Sequence, residues 1–172
     1  MRLAVLKERR AAETRVAATG DTARKLIALG LAVAVERGAG ITAAVSDADY
    51  QAAGAEICAD PAATLAGAGI VFAVQMPEPA ELALIPRGAL LVCTSGAVNE
   101  PEIVTALAEA GIDCAALELL PRITRAQSMD VLSSQANLAG YRAGFRFPGA
   151  ARMVPPIPTT PIRRSSAPRR AT

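Results

Sequence analysis

The feature that most constrains this 172-residue sequence is a set of short apolar runs that alternate with segments of helical character. The runs lie at residues 2–6, 31–36, 55–58, 70–74, 89–94 and 113–119. Those at 70–74 and 89–94 are continuously apolar, which is typical of strands that are covered on both faces. This alternation predicts an α/β fold in which helices cover a parallel sheet.

Capping and terminating residues between the runs predict where helices begin and end. Helix starts are predicted at Asp21, at Ser46 or Asp47, at Asp60 with Pro61, and at Asn99 with Pro101. The corresponding ends are predicted at Leu29, Gly54, Gly67 and Ala110. No helix is predicted between the runs at 70–74 and 89–94. The resulting order favours a three-layer parallel sheet of the flavodoxin-like or Rossmann-like class.

Composition excludes one class of function and divides the chain in two. The sequence has no Trp or His, three Phe and two Tyr, so it lacks the aromatic platforms on which nucleic-acid bases stack, and no nucleic-acid partner is expected. Residues 1–141 carry all 16 acidic side chains and a net charge of −5, whereas residues 142–172 carry seven Arg and a net charge of +7.

The last 31 residues, 142–172, read differently from the rest of the chain. They are rich in Arg, Pro, Ser and Thr and have neither helical nor strand periodicity, so they are predicted to form a disordered tail. Three explanations stay open: a shifted reading frame in a GC-rich gene, a basic tail that binds an acidic partner, and a linker to a missing domain. We expect residues 1–141 to form the folded domain.

Cysteine spacing and hydropathy set the expected environment. Cys58, Cys93 and Cys114 match no zinc-ligand spacing and lie in or beside apolar runs, so they are expected to be buried, reduced thiols. The N-terminal residues become charged before an apolar signal region develops. No apolar run approaches the roughly 18–20 residues that cross a bilayer, so a soluble chain is expected.

A charged segment, KERRAAETRVA at residues 7–17, follows the first apolar run directly. It concentrates Lys, Arg and Glu where the first strand is predicted to end. Two interpretations stay open: a solvated charged loop, and a group of side chains that faces a ligand at the carboxyl end of the strand.

A second polar cluster lies in PRITRAQSMDVLSSQANLAGY, residues 121–141. It is expected to be the loop after the last strand, leading into a helix from Ser128 toward Tyr141. Such positions hold ligands in open α/β sheets, and helix N-termini favour anionic groups. The polar side chains of interest are Arg122, Arg125, Gln127, Asp130 and Ser133.

This cluster is suited to positioning a ligand rather than to acid–base chemistry. Arginine donates in a planar fork, glutamine both donates and accepts, and Asp and Ser can bond an amide or a sugar hydroxyl. None of these residues is a nucleophile with a base beside it. The plainer alternative is an ordinary capped helix, with Ser128 as the cap and the arginines solvated. Elsewhere, the glycines at 38–40 and 67–69 do not form the GxGxxG phosphate loop of a Rossmann domain.

The two polar segments together resemble one known family. KERRAAETRVAAT resembles the signature shared by alanine dehydrogenase and the alpha subunit of proton-translocating NAD(P) transhydrogenase. ELLPRITRAQSMDVLSSQANLAGYRA is similar to the transhydrogenase branch in particular. The resemblance covers about residues 1–143. It identifies residues 1–141 as an alanine dehydrogenase/PNT N-terminal-type domain, the first portion of an NAD(H)-binding domain.

The resemblance implies an oxidoreductase function. In the transhydrogenase family this subunit binds NAD(H) and passes hydride to NADP(H) on a partner domain, coupled to proton translocation by membrane subunits. It also implies a homodimer and a cytoplasmic position, peripheral to the inner membrane through the partner subunits.

The resemblance further assigns roles to the polar cluster. Arg122 would hold the nicotinamide carboxamide, and Gln127 would reach toward the second nucleotide. Asp130 and Ser133 would orient the nicotinamide and its ribose, and Tyr141 would have a lesser role. Gln127 and Asp130 would act by position, since the cofactors carry the hydride chemistry.

Two alternatives and one expected deficit remain. Alanine dehydrogenases place a lysine and a histidine in the pyruvate site, where this chain has Gln75 and Ser95, which disfavours that activity. A non-catalytic interaction protein that uses the basic tail is the other alternative. Because a family member continues into a Rossmann domain that is absent here, we expect a truncated form that binds NAD(H) weakly or not at all alone.

Overall fold

The structure is a computed structural model, and it describes residues 1–97, 99–121 and 123–146. Its centre is a six-stranded sheet in the order β3-β2-β1-β4-β5-β6. All adjacent strands run parallel. The strands are β1 Arg2–Val5, β2 Ala32–Glu36, β3 Glu56–Cys58, β4 Ala68–Gln75, β5 Leu90–Thr94 and β6 Asp113–Ala116. Each falls on a predicted apolar run, so the parallel α/β class is confirmed.

Six α-helices connect or follow these strands in the described residues. They are α1 Gly20–Ala28, α2 Asp47–Ala52, α3 Pro61–Leu65, α4 Pro79–Leu82, α5 Glu102–Ala110 and α6 Val131–Arg146. Three short 3-10 turns accompany them at Ile41–Ala43, Leu117–Leu119 and Thr124–Met129.

Two apolar layers cover the two faces of the sheet. Leu3, Val5, Val33 and Val35 pack with Tyr50 on one face. On the other face, Leu6, Val71 and Leu91 pack with Leu65 and Leu107 from the helices. Alternate residues of one strand point to opposite faces, so strands apolar at every position can contribute to both layers. This explains why the central runs are continuously apolar rather than alternating.

Several predicted boundaries move, each for a local reason. Thr19, not Asp21, caps α1, because its hydroxyl accepts the Thr22 N–H at 3.4 Å. The run at 113–119 is a strand only to Ala116, after which the chain turns. The one-turn helix α4 was not predicted. Its start has a proline in the first turn and Glu81, whose carboxylate accepts the Glu78 N–H at 3.1 Å.

The last helix begins later than the sequence suggested. Asp130 has an extended backbone with φ −75° and ψ 94°, which interrupts helical geometry after Met129. Its carboxylate accepts the Leu132 N–H at 3.1 Å, so Asp130 and not Ser128 occupies the capping position. Met129 therefore precedes the helix instead of lying on its apolar face.

The chain divides into two compact units, Met1–Leu132 and a unit that begins at Ser133. The first contains the whole sheet and both apolar layers. The second contains α6 from Ser133 to Arg146, so helical structure continues five residues past the predicted boundary at residue 141. The predicted disordered tail lies, from residue 147 on, outside the described residues.

Candidate functional site

The sheet order places a natural site beside the carboxyl ends of β1 and β4. The chain builds outward from β1 to β3, then crosses back so that β4 lies on the other side of β1. Loops leaving β1 and β4 therefore diverge, and open α/β sheets bind ligands at such a point. A cavity of about 400 Å³ lies here, lined by residues 7–10, 75–79 and the first turns of α5.

Arg9 ties together three elements around this cavity. Its guanidinium forms an ion pair with Glu36 at the end of β2 and donates from Nε to Glu81 Oε1 of α4 at 2.9 Å. The Glu36 and Glu81 side chains are 6% and 8% exposed. Glu36 also accepts the Lys7 N–H at 3.0 Å. One cation therefore compensates two nearly buried carboxylates.

Glu8 faces the end of β4. Its carboxylate accepts the backbone N–H of Val74 at 2.6 Å and of Gln75 at 3.2 Å. Burial raises the pKa of Glu8, and the two donated hydrogen bonds only partly oppose that shift. Glu8 thereby satisfies N–H groups that the end of the strand would leave unpaired.

Glu13 links the charged loop to β4 from a second point. Arg15 Nε donates to Glu13 Oε1 at 2.7 Å, and Gln75 Nε2 donates to Glu13 Oε2 at 3.0 Å. The Arg15 guanidinium holds the pKa of Glu13 down to about 2. Arg15 and Gln75 are therefore both engaged by one carboxylate.

These contacts decide much of the interpretation of segment 7–17. Glu8, Arg9 and Glu13 are structural members of a network, so the segment is not simply a solvated loop. Within the part of the chain that the structure describes, the exposed side chains of Lys7 and Arg10 have no hydrogen-bond or ion-pair partner. They are the cations of the segment that remain available at the cavity.

A further carboxylate, which the sequence reasoning missed, joins the ends of β5 and β6. Glu118 Oε1 accepts the Gly96 N–H at 2.8 Å and the Ser95 N–H at 3.1 Å, and it also accepts the Ser95 hydroxyl. No spacing in the sequence signals this contact, because 23 residues separate Glu118 from Ser95.

The second polar cluster follows β6 on the same edge of the sheet. Gln127 lies in the turn Thr124–Met129 with its side chain exposed. Asp130 is 9% exposed, and its N–H donates to the Gln127 carbonyl at 3.4 Å. The structure thus brings Gln127 and Asp130 together within one turn. Arg122 lies outside the described residues, and Ser133 lies on α6 in the second unit.

The chemistry available in this turn is hydrogen bonding. Gln127 offers a donor and an acceptor, and Asp130 offers carboxylate oxygens beside the start of α6. Among the described residues, no three His, Cys, Asp or Glu side chains are grouped to hold a metal ion. Cys58 and Cys93 are buried free thiols, as expected, whereas Cys114 is only half-buried.

Comparison with known proteins places this arrangement. The family described as alanine dehydrogenase/PNT, N-terminal domain, matches residues 4–139. An NAD(P) transhydrogenase alpha subunit of Rhodospirillum rubrum is 49% identical over 148 residues, which cover 83% of this chain and 38% of the relative. The alanine dehydrogenase of Bacillus subtilis is 33% identical over 143 residues, covering 83% of this chain and 37% of that enzyme.

Solved structures give the same relationship. The crystal structure of transhydrogenase from Sinorhizobium meliloti matches with a TM-score of 0.81 and 40% identity, covering 85% of this chain and 43% of that one. The chain thus spans less than half the length of these relatives. With its six-stranded parallel sheet and both signature segments, the chain belongs to the alanine dehydrogenase/PNT N-terminal domain family and is similar in particular to transhydrogenase alpha subunits.

Proposed function

We propose that this domain forms the nicotinamide end of an NAD(H) site in a transhydrogenase alpha subunit that transfers hydride from NADH to NADP⁺. The 49% identity to the Rhodospirillum rubrum alpha subunit carries the proposal. The polar turn at the carboxyl edge of the sheet supports it, because that edge is where such folds bind ligands.

Four side chains are proposed to hold the nicotinamide end. Arg122 donates to the carboxamide, while Asp130 and Ser133 orient the ring and its ribose. Gln127, exposed beside Asp130, reaches toward the NADP(H) of a partner domain. NAD(H), when bound, supplies the hydride, so the task of these residues is to hold two rings in contact.

The fit covers only half of a dinucleotide. Gln127 and Asp130 provide hydrogen-bonding groups suited to an amide and a ribose. The phosphates need backbone N–H groups of a glycine-rich loop, and the 172 residues contain no GxGxxG between a strand and a helix. We therefore propose that the 172-residue chain alone binds NADH weakly or not at all, a point that isothermal titration tests directly.

Partners and location follow from the same proposal. The domain would act with membrane subunits that translocate protons and with an NADP(H)-binding subunit, as a homodimer on the cytoplasmic side of the inner membrane. None of the helices in the described ranges has the length and hydropathy of a membrane span.

The contacts around Gln75 and Ser95 count against the alanine dehydrogenase alternative. Gln75 and Arg15 both bond to Glu13, and the Ser95 hydroxyl donates to Glu118. Neither position offers a free cationic or acid–base group to an amino acid. The proposed family role is therefore hydride transfer between dinucleotides.

The test uses a hybrid subunit, in which residues 1–141 replace the matching segment of the Rhodospirillum rubrum alpha subunit. NADH affinity and hydride transfer to a partner-bound NADP analogue are measured separately. Asp130→Asn should weaken NADH binding about tenfold to a hundredfold, the effect of losing a charged hydrogen-bond partner. Gln127→Asn should leave NADH affinity nearly unchanged and slow the transfer.

The exposed Glu109→Gln substitution on α5 serves as the matched control and should change neither quantity. Asp130 and Gln127 variants that behave like this control, in a hybrid that binds NADH, would refute the proposed roles.

A further inference from the structure

Glu118 fastens two neighbouring loops at the carboxyl edge of the sheet. It lies in the turn Leu117–Leu119, directly after β6. Its two oxygens accept the Ser95 N–H, each at 3.1 Å, and Oε1 also accepts the Ser95 hydroxyl and the Gly96 N–H. The Ser95 hydroxyl accepts the Ala97 N–H at 3.1 Å, which closes the loop after β5.

These contacts are partly shielded from water and therefore strong. Ser95 is 2% exposed, so its N–H and hydroxyl depend on Glu118 rather than on solvent. Burial tends to raise the pKa of Glu118, but the hydrogen bonds from Ser95 and Gly96 outweigh it and leave that pKa lowered. The ionised carboxylate is thus the form that the loop holds.

The contact lies next to the polar turn. Two residues, Leu119 and Leu120, separate Glu118 from Pro121, where the polar segment begins. β5 and β6 pair with Cys93 opposite Ala116, so the Glu118 contact extends the β5–β6 pairing past the last strand residues. Fixing Glu118 therefore fixes the point from which the chain leaves the sheet toward Thr124–Met129.

We propose that Glu118 is a positioning residue that, through Ser95 and Gly96, sets the orientation of the turn carrying Gln127 and Asp130. This inference rests on the proposed function, because it concerns the same site. Glu118 acts through the backbone and need not touch a nucleotide. A glutamine of equal size is a poor substitute, since it has one acceptor oxygen and its NH₂ group would face the donors of Ser95 and Gly96.

The first test measures amide hydrogen exchange on the full 172-residue chain. In Glu118→Gln, exchange should speed up about tenfold at Ser95 and Gly96 and also at Ala126 and Asp130, the change expected when a charge-assisted hydrogen bond is lost. Glu109→Gln, the matched control, should leave all four amides unchanged. Acceleration confined to Ser95 and Gly96 would overturn the inference, because Glu118 would then be a local fastening only.

The second test uses the hybrid subunit. At saturating NADH, Glu118→Gln should slow hydride transfer at least fivefold, with a smaller loss of NADH affinity and little change in the unfolding midpoint. Ser95→Ala removes one donor, keeps the carboxylate, and should give the same pattern more weakly. It also serves if Glu118→Gln fails to fold.

The two proposals fail in different ways. If the unsubstituted hybrid binds NADH but transfers no hydride, the proposed function is wrong whatever the exchange data show. If the hybrid is active and both Glu118→Gln and Ser95→Ala match Glu109→Gln in transfer rate, the positioning role of Glu118 is wrong.

Discussion

At the scale of single residues, Arg9 shows how a charged segment can be structural. It joins Glu36 of β2 to Glu81 of α4, and both of those carboxylates are nearly buried. Removing one member of a buried ionic group leaves an uncompensated charge, which costs more than the group contributes in net stability. Arg9 should therefore matter much more than its exposed neighbour Arg10.

Arg9→Met is expected to lower the free energy of unfolding by about 3–5 kcal/mol, because Glu36 and Glu81 lose their shared cation. Arg10→Met, the matched control, should change it by less than about 0.5 kcal/mol, as surface substitutions usually do. Urea denaturation at neutral pH measures both. Equal, small effects would show that the carboxylates are compensated in some other way.

Glu13 should give the chain a measurable acid sensitivity. The pKa of Glu13 is lowered from its ordinary 4.5 to about 2 by Arg15, so folding favours the ionised form. The stabilisation is fully present above pH 4.5 and is lost as the pH falls toward 2. The free energy of unfolding of Glu13→Gln should therefore depend less on pH over this range.

The measurement is the difference between the native chain and Glu13→Gln in urea denaturation from about pH 5 to about pH 2. Their stabilities should converge as the pH falls. Glu109→Gln, an exposed glutamate on α5, controls for the general loss of one carboxylate. A constant offset between the native chain and Glu13→Gln would contradict the assigned pairing.

At the scale of elements, the connection from β2 to α2 depends on a glycine. A Cβ on Gly40 would lie 2.6 Å from the Val45 carbonyl oxygen and 2.9 Å from the Tyr50 hydroxyl. Tyr50 is fully buried and donates to the Ala18 carbonyl at 2.6 Å, so it has little freedom to move. This loop therefore holds α2 against the sheet only if residue 40 has no side chain.

Gly40→Ala should destabilise the chain by about 1–3 kcal/mol, because inserting a carbon into a packed region forces its neighbours to shift. Gly140→Ala on α6 is the control, since a Cβ at that position would meet no atom within 4 Å beyond the backbone of its own helix, and it should be neutral or slightly favourable. Thermal unfolding of both variants gives the comparison. A Gly40→Ala chain as stable as the native one would mean that the loop can rearrange.

Elements were predictable to the extent that local signals specify them. All six strands coincide with apolar runs, and Asp60 and Gly111 end up at the cap positions that their types suggest. The helix α4 was missed because one turn is too short to show periodicity. The run at 113–119 looked continuous, but Glu118 bonds to the β5 loop and so turns the chain after Ala116.

At the scale of the whole molecule, the sequence predicted the fold class but not the networks within it. Glu8 meets Val74, and Glu118 meets Ser95, only because strands distant in sequence are neighbours in the sheet. Such contacts have no spacing signature, so segment 7–17 could not be divided beforehand into structural and available charges. The roles of Arg122, Gln127, Asp130 and Ser133 came from resemblance and stay a prediction.

The function proposed for this domain is hydride transfer between dinucleotides. The most direct measurement is the single-turnover rate of hydride transfer from NADH by the hybrid subunit that carries residues 1–141, with its NADP-binding partner. We predict a rate within about tenfold of the unmodified Rhodospirillum rubrum subunit, equivalent to less than about 1.4 kcal/mol in the barrier. A folded hybrid that binds NADH and transfers no hydride would contradict it.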